Sequence, residues 1–114
     1  MSITTHVLDT SRGKPASGVL VTLERRKSDG SWSPVGHGET DVDGRLRTLT
    51  PDSGEPLENG IYRLTFDTGT YFRERHIETF FSEVIILFNV DDGEQHYHVP
   101  LLLSPWGYST YRGG

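Results

Sequence analysis

The 114-residue chain contains no cysteine, which removes disulfides and thiolate metal sites and leaves the redox compartment open. No stretch approaches the ~20 consecutive apolar residues of a membrane span. The first residues carry no basic segment followed by an apolar one, as a secretory signal would. Basic runs are missing too: Glu24-Arg25-Arg26-Lys27 is as far as any goes, and it is mixed. With a net charge of -5, the chain offers little to a phosphate backbone. The expectation is a soluble, cytoplasmic protein with neither a nucleic-acid nor a membrane partner. Hydrophobic residues are sparse at 33%, below the usual globular share. The length predicts one domain over residues 1–114, with a core thin enough that self-association is a natural way to bury more surface.

Common catalytic signatures are absent as well. There is no G-x-S-x-G elbow, no phosphate-binding loop and no dinucleotide glycine pattern. Asp41-Val-Asp-Gly-Arg45 has two aspartates and a glycine, but not the 12-residue calcium loop with its terminal bidentate glutamate. It reads as a tight turn that delivers Arg45 to the start of a strand.

What the chain does have is a succession of strand-forming runs separated by Gly, Pro and Asp clusters, the pattern of a sandwich or barrel. Strands are predicted at Ile3–Leu8, Val19–Arg25, Trp32–Thr40, Arg45–Leu49, Ile61–Asp67, Val84–Val90, His96–Ser104 and Ser109–Arg112. Pro34 and two glycines make the third an edge or bulged strand. Thr70 to Phe80 breaks the alternation and is predicted to hold one short helix. The fold class is therefore all-β, a two-sheet sandwich of eight strands with one helix.

Five histidines are candidates for chemistry. His6 shares a strand face with Thr4 and Leu8, if the alternation holds. His96 and His98 form an His-x-His pair whose side chains also share a face. That spacing suits two ligands of one metal, but a catalytic zinc needs a third, and no local spacing marks one. Acid–base work is the other reading, because histidine titrates near about 6.5. Two polar residues on a solvent-facing sheet are the commonest outcome for such a pair. His37 and His76 read as exposed. Arg45 brings a fixed fork of donors suited to carboxylates and planar acceptors. The last eleven residues, Ser104-Pro-Trp-Gly-Tyr-Ser-Thr-Tyr-Arg-Gly-Gly114, are aromatic and hydroxyl-rich, which predicts a docked rather than a frayed terminus.

Several of these segments together resemble the 5-hydroxyisourate hydrolases, the enzymatic relatives of transthyretin. The resemblance rests on Thr4-Thr-His-Val-Leu-Asp-Thr10 with Gly13-Lys-Pro-Ala16, on Thr40-Asp-Val-Asp-Gly-Arg45, and on Asp67-Thr-Gly-Thr-Tyr-Phe72 with Phe80-Phe81. His96-Tyr-His-Val-Pro-Leu-Leu-Leu-Ser-Pro105 and Tyr108-Ser-Thr-Tyr-Arg-Gly113 complete it. It implies a transthyretin-like (prealbumin-like) sandwich assembled as a homotetramer, a dimer of dimers, with sites in clefts at the dimer–dimer interface. The implied substrate is 5-hydroxyisourate, whose ring is opened by water to give 2-oxo-4-hydroxy-4-carboxy-5-ureidoimidazoline in urate breakdown, with neither a metal nor an organic cofactor. The resemblance assigns catalysis to His6, Arg45 and His98, and substrate binding to His6, Arg45 and Tyr111. His96 becomes a supporting residue. The family's ending is Tyr-Arg-Gly-Ser, whereas here it is Tyr111-Arg-Gly-Gly114. Activity is expected to survive that change, with weaker turnover or altered binding. The alternative is a transthyretin-like carrier of small ligands without catalysis. A sandwich serving only as an interaction domain is a second rival.

Overall fold

Alternation dictates the first strand. In the computed structural model, which describes all of residues 1–114, β1 (Ser2–Asp9) buries Ile3, Thr5, Val7 and Asp9 and turns Ser2, Thr4, His6 and Leu8 the other way. This is the period of two expected when one sheet face meets the core. The same rule shapes β6 (Gly60–Phe66), which buries Tyr62, Leu64 and Phe66, and β8 (His96–Ser104), which buries Tyr97, Val99, Leu101 and Leu103.

The remaining elements are β2 (Lys14–Pro15), β3 (Leu20–Arg26), β4 (Trp32–Glu39), β5 (Arg45–Leu46), α1 (Thr68–Arg73), β7 (Val84–Val90) and β9 (Gly107–Thr110). One sheet runs β2-β1-β8-β9, with β5 also paired to β1; the other runs β4-β3-β6-β7. The sheets pack face to face over a core that includes Ile3, Val7, Val21, Leu23, Leu64, Phe66, Phe72, Val84, Leu101 and Leu103. Such aliphatic and aromatic burial is the main driving force for folding. No helix is long and apolar enough to cross a membrane.

The predicted two-sheet sandwich and its single helix are found, with small corrections. There are nine strands rather than eight, because Lys14–Pro15 forms a two-residue pair with Leu8 and Asp9 that no periodicity could signal. The strand expected at Arg45–Leu49 stops at Leu46, and the last strand is Gly107–Thr110 rather than Ser109–Arg112. The bulge signalled by Pro34 lies where β3 slips register on β4 between Leu23 and Glu24. The helix begins earlier than the sequence pattern indicated. Asp67 caps it, its carboxylate accepting from the Thr70 N–H and hydroxyl, so the first turn forms at Thr68. It ends before His76, whose φ of 57° is left-handed.

Helix and sheet are stapled by a buried polar cluster. Asp9 has no exposed surface. Its Oδ2 accepts from the Tyr71 hydroxyl at 2.9 Å, and its Oδ1 accepts from the Ser11 N–H and hydroxyl at 3.1 and 2.6 Å. Burial, followed by the Asp9 hydrogen bond, pushes the Tyr71 phenol above its ordinary value.

Candidate active site

The outer face of the β1 sheet carries the candidate residues, and strand register decides which of them meet. β5 pairs antiparallel with β1, setting Arg45 opposite His6. β8 pairs parallel with β1 on its other edge, setting Pro100 opposite His6 and His98 opposite Thr4. β9 continues the sheet with Thr110 opposite Leu101. The Gly113 N–H donates to the His98 carbonyl at 2.8 Å, so this register persists past the end of β9 and Tyr111 falls abreast of Pro100. One row across the sheet therefore reads Arg45, His6, Pro100, Tyr111. The next holds Thr4, His98 and Gly113.

The turn before β5 is built to hold Arg45 there. The Asp41 carboxylate accepts from the backbone N–H of Asp43 at 2.8 Å and of Arg45 at 3.0 Å. The Arg45 hydrogen bond is also the largest cause of the lowered Asp41 pKa. Gly44 adopts φ 77°, and a Cβ there would collide with the Val7 carbonyl, so glycine is required on both counts. The Asp43 carbonyl in this turn accepts a 2.8 Å hydrogen bond from His6 Nε2. A carbonyl can only accept, so Nε2 carries the proton and Nδ1 is left bare.

His98 is held differently. Its Nδ1 lies 2.8 Å from Thr4 Oγ1. With Nδ1 donating, Nε2 is free to take a proton. Burial pushes the His98 pKa below its ordinary 6.5, and the charges of His6, Arg45 and Arg47 push the same way. A neutral imidazole at neutral pH is the result, which is the form a general base needs. His96 is exposed, and its Nδ1 meets Ser2 Oγ at 2.6 Å.

A groove of about 330 Å³ opens over these residues, lined by Ser2, Thr4, Thr5, Arg45, Arg47, His96, His98 and Gly114, with no hydrophobic side chain. His6 flanks it. A larger hollow of about 460 Å³ beside Arg25, Glu58 and Tyr62 holds no histidine. No three His, Asp or Glu side chains converge as metal ligands, so the His96–His98 pair gains no third partner.

The structure thus brings His6, Arg45 and His98 onto one patch of sheet. Tyr111 shares their row but does not line the groove. It is 57% exposed and borders a separate hollow of about 300 Å³ beside Tyr97, Val99 and the β7 edge. The terminus is docked as expected: the Thr110 hydroxyl donates to the Pro100 carbonyl at 2.7 Å, and Arg112 donates to Gln95 Oε1 at 2.8 Å while its guanidinium lies over the Tyr97 ring. Two residues of the site were not singled out from sequence. Thr4 was signalled only by sharing a strand face with His6. Arg47 stands two residues after Arg45, the spacing that keeps extended side chains on one face.

The HIUase/Transthyretin family model matches residues 3–113. A 5-hydroxyisourate hydrolase from Salmonella typhimurium is 47% identical over 111 residues, covering 97% of this chain and 79% of its own. The solved structure of Klebsiella pneumoniae 5-hydroxyisourate hydrolase superimposes with a TM-score of 0.82 at 38% identity, covering 99% of this chain and 93% of that one. Sea bream transthyretin, solved in complex with thyroxine, gives a TM-score of 0.89 at 30% identity, with 99% and 95% covered.

Proposed function

The chain belongs to the HIUase/Transthyretin family, and from that membership we propose that it is a 5-hydroxyisourate hydrolase acting in urate degradation. Shape does not separate the two branches of the family, because the carrier superimposes at least as well as the hydrolase. Identity and side chains do separate them. The hydrolases are 47% and 38% identical against 30% for the carrier. The groove over the sheet is polar throughout, where a carrier of aromatic hormones would need apolar walls.

The observation that carries the reading is the juxtaposition of Arg45 and His6 in one row with a neutral His98 beside them. Hydrolysis of the ring amide needs a base for water, a cation for the growing oxyanion and a proton for the leaving nitrogen. We assign His98 Nε2 as the base. Arg45 holds the planar substrate and stabilises the tetrahedral intermediate electrostatically. His6, its tautomer set by the Asp43 carbonyl, presents a bare Nδ1 that accepts the proton His98 takes from water and passes it to the leaving nitrogen. Tyr111, which borders a separate hollow within one chain, would supply a hydrogen bond or a wall only from across a subunit interface. His96 supports the groove rather than reacting.

We also propose that the protein assembles as a homotetramer, a dimer of dimers. Support comes from the exposed side chains of Ile85, Leu87, Trp106, Tyr108 and Tyr111, which follow the edge strands β7 and β9, and from the low hydrophobic content of the chain.

The test uses 5-hydroxyisourate generated from urate by urate oxidase, with its ultraviolet decay followed in the presence of the protein. Decay no faster than the spontaneous rate would sink the proposal. His98→Ala and Arg45→Ala should each lower kcat/KM by about a hundredfold or more while leaving the oligomer intact. Near-normal rates would refute those two assignments.

A further inference from the structure

We propose that Arg47 is a second anion-binding group of the groove, placed to take the carboxylate that ring opening creates. The inference rests on the hydrolase reading above and extends it to a residue that reading does not use.

Register is the first argument. β5 and β1 run antiparallel with His6 opposite Arg45 and Thr5 opposite Leu46. Carried one residue further, the pairing sets Arg47 abreast of Thr4, which is itself opposite His98. Thr4 Oγ1 bonds to His98 Nδ1, so Arg47 heads the same row as the proposed base. It lines the groove together with Arg45 and His98.

Charge is the second. The chain has a net charge of -5, yet two guanidinium-bearing residues line this one groove. The ion pairs of the molecule are Arg25–Glu58 and Arg63–Glu24; neither Arg45 nor Arg47 takes part in one, and neither side chain makes a hydrogen bond. Asp41 feels both charges through space, but its Oδ1 accepts from the turn backbone and its carboxylate forms no ion pair with either arginine. Like charges held together without a partner are unfavourable. An arrangement of that kind suits an anion that arrives and leaves.

The reaction supplies the anion. Water adds to the ring carbonyl, a C–O bond forms and the C–N bond breaks. The nitrogen leaves with a proton, and the new carboxylic acid loses its own proton to solvent. The product therefore carries one more negative charge than the substrate, on the carbon that Arg45 has been stabilising. A carboxylate has two oxygens, and a second guanidinium gives the second oxygen a donor. Arg47 also borders the adjoining hollow of about 660 Å³, shared through Ser2, Thr4 and His96, which leaves the product an open way out.

Titration calorimetry with orotate tests the proposal. Orotate is a planar six-membered ring bearing a carboxylate, and uracil is the same ring without one. The parent is expected to bind orotate more tightly than uracil. Arg47→Gln should weaken orotate by about tenfold or more, leave uracil binding as it was, and leave the melting temperature unchanged because the side chain is exposed. Arg47→Lys should recover part of the loss. Failure of the parent to prefer orotate, an unchanged orotate affinity in Arg47→Gln, or an equal loss on both ligands would each overturn it. Calorimetry needs no turnover, so a parent that prefers orotate but does not accelerate 5-hydroxyisourate decay defeats the hydrolase reading and not the anion site.

Discussion

Gly113 lies directly against the imidazole of His98. Its N–H donates to the His98 carbonyl, and a Cβ built on it would come within 2.5 Å of the ring carbon Cδ2. The C-terminal tail and the proposed base are thus one packing unit.

Gly113→Ala tests that contact. The added methyl must push either the ring or the tail aside, and a displaced base loses its alignment with water. A displacement of about 1 Å can cost a hundredfold in rate, so kcat should fall at least about tenfold. The fold itself should be nearly indifferent, since the tail is a surface segment. Kinetics and a melting curve on the same sample decide the matter. Unchanged kcat would mean that the tail does not fix His98.

The state of His98 gives a pH prediction. Burial, then the neighbouring cations, hold its folded pKa below the 6.5 of the unfolded chain. The base is neutral above that folded value, so kcat/KM should rise with pH along an acidic limb whose midpoint lies below 6.5, and then level off. Stability follows the same sign. Between 6.5 and the folded value the unfolded chain binds the proton more readily, so stability is lost as pH falls through that window and is fully present above it. Ring-proton NMR on His98 reads the midpoint; a value above 6.5 contradicts the assignment.

Thr4 is a positioning residue. Its hydroxyl lies 2.8 Å from His98 Nδ1, and only the orientation of the ring depends on it. Thr4→Val keeps the shape and removes the partner. The expectation is a kcat lowered by about tenfold to a hundredfold with KM little changed, and Thr4→Ser should restore most of the rate. A loss in the serine variant with none in the valine variant would mean that the methyl group, not the hydroxyl, matters.

These residues also show what could be read from the chain. Alternation alone put His6 with Thr4 on one face and His96 with His98 on another, and the glycine at 44 marked the turn that delivers Arg45. Which rows those faces would form was hidden. The pairing of His6 with Pro100 joins residues far apart in sequence, and nothing local encodes a parallel register between them. Arg47 escaped notice because a lone arginine beyond a turn looks like surface charge until the strand beside it is known. The helix boundary was misplaced because one capping carboxylate outweighed the spacing of apolar residues. The last strand shifted because the tail beyond Thr110 is held by single contacts to Gln95 and His98 rather than by a ladder.

The buried cluster at the far end of β1 gives a prediction about stability rather than rate. Asp9 is fully buried, and the Tyr71 hydroxyl is the only donor to its Oδ2. Tyr71→Phe deletes that donor and keeps the ring, so the cavity term is small and the cost is that of an unsatisfied buried acceptor. Such a loss is worth about 1–3 kcal/mol, and the Arg12 guanidinium, 3.3 Å from the same hydroxyl, loses a partner as well. At about 4 °C per kcal/mol for a domain near this size, the melting temperature should fall by roughly 4–12 °C. Self-association raises apparent stability with concentration, so parent and variant must be compared at one protein concentration. Catalysis should be untouched, because Asp9 faces the core while Arg45 and His98 line the groove. A variant as stable as the parent would mean that solvent replaces the phenol, and that the staple between helix and sheet is apolar packing by Tyr71 and Phe72 alone.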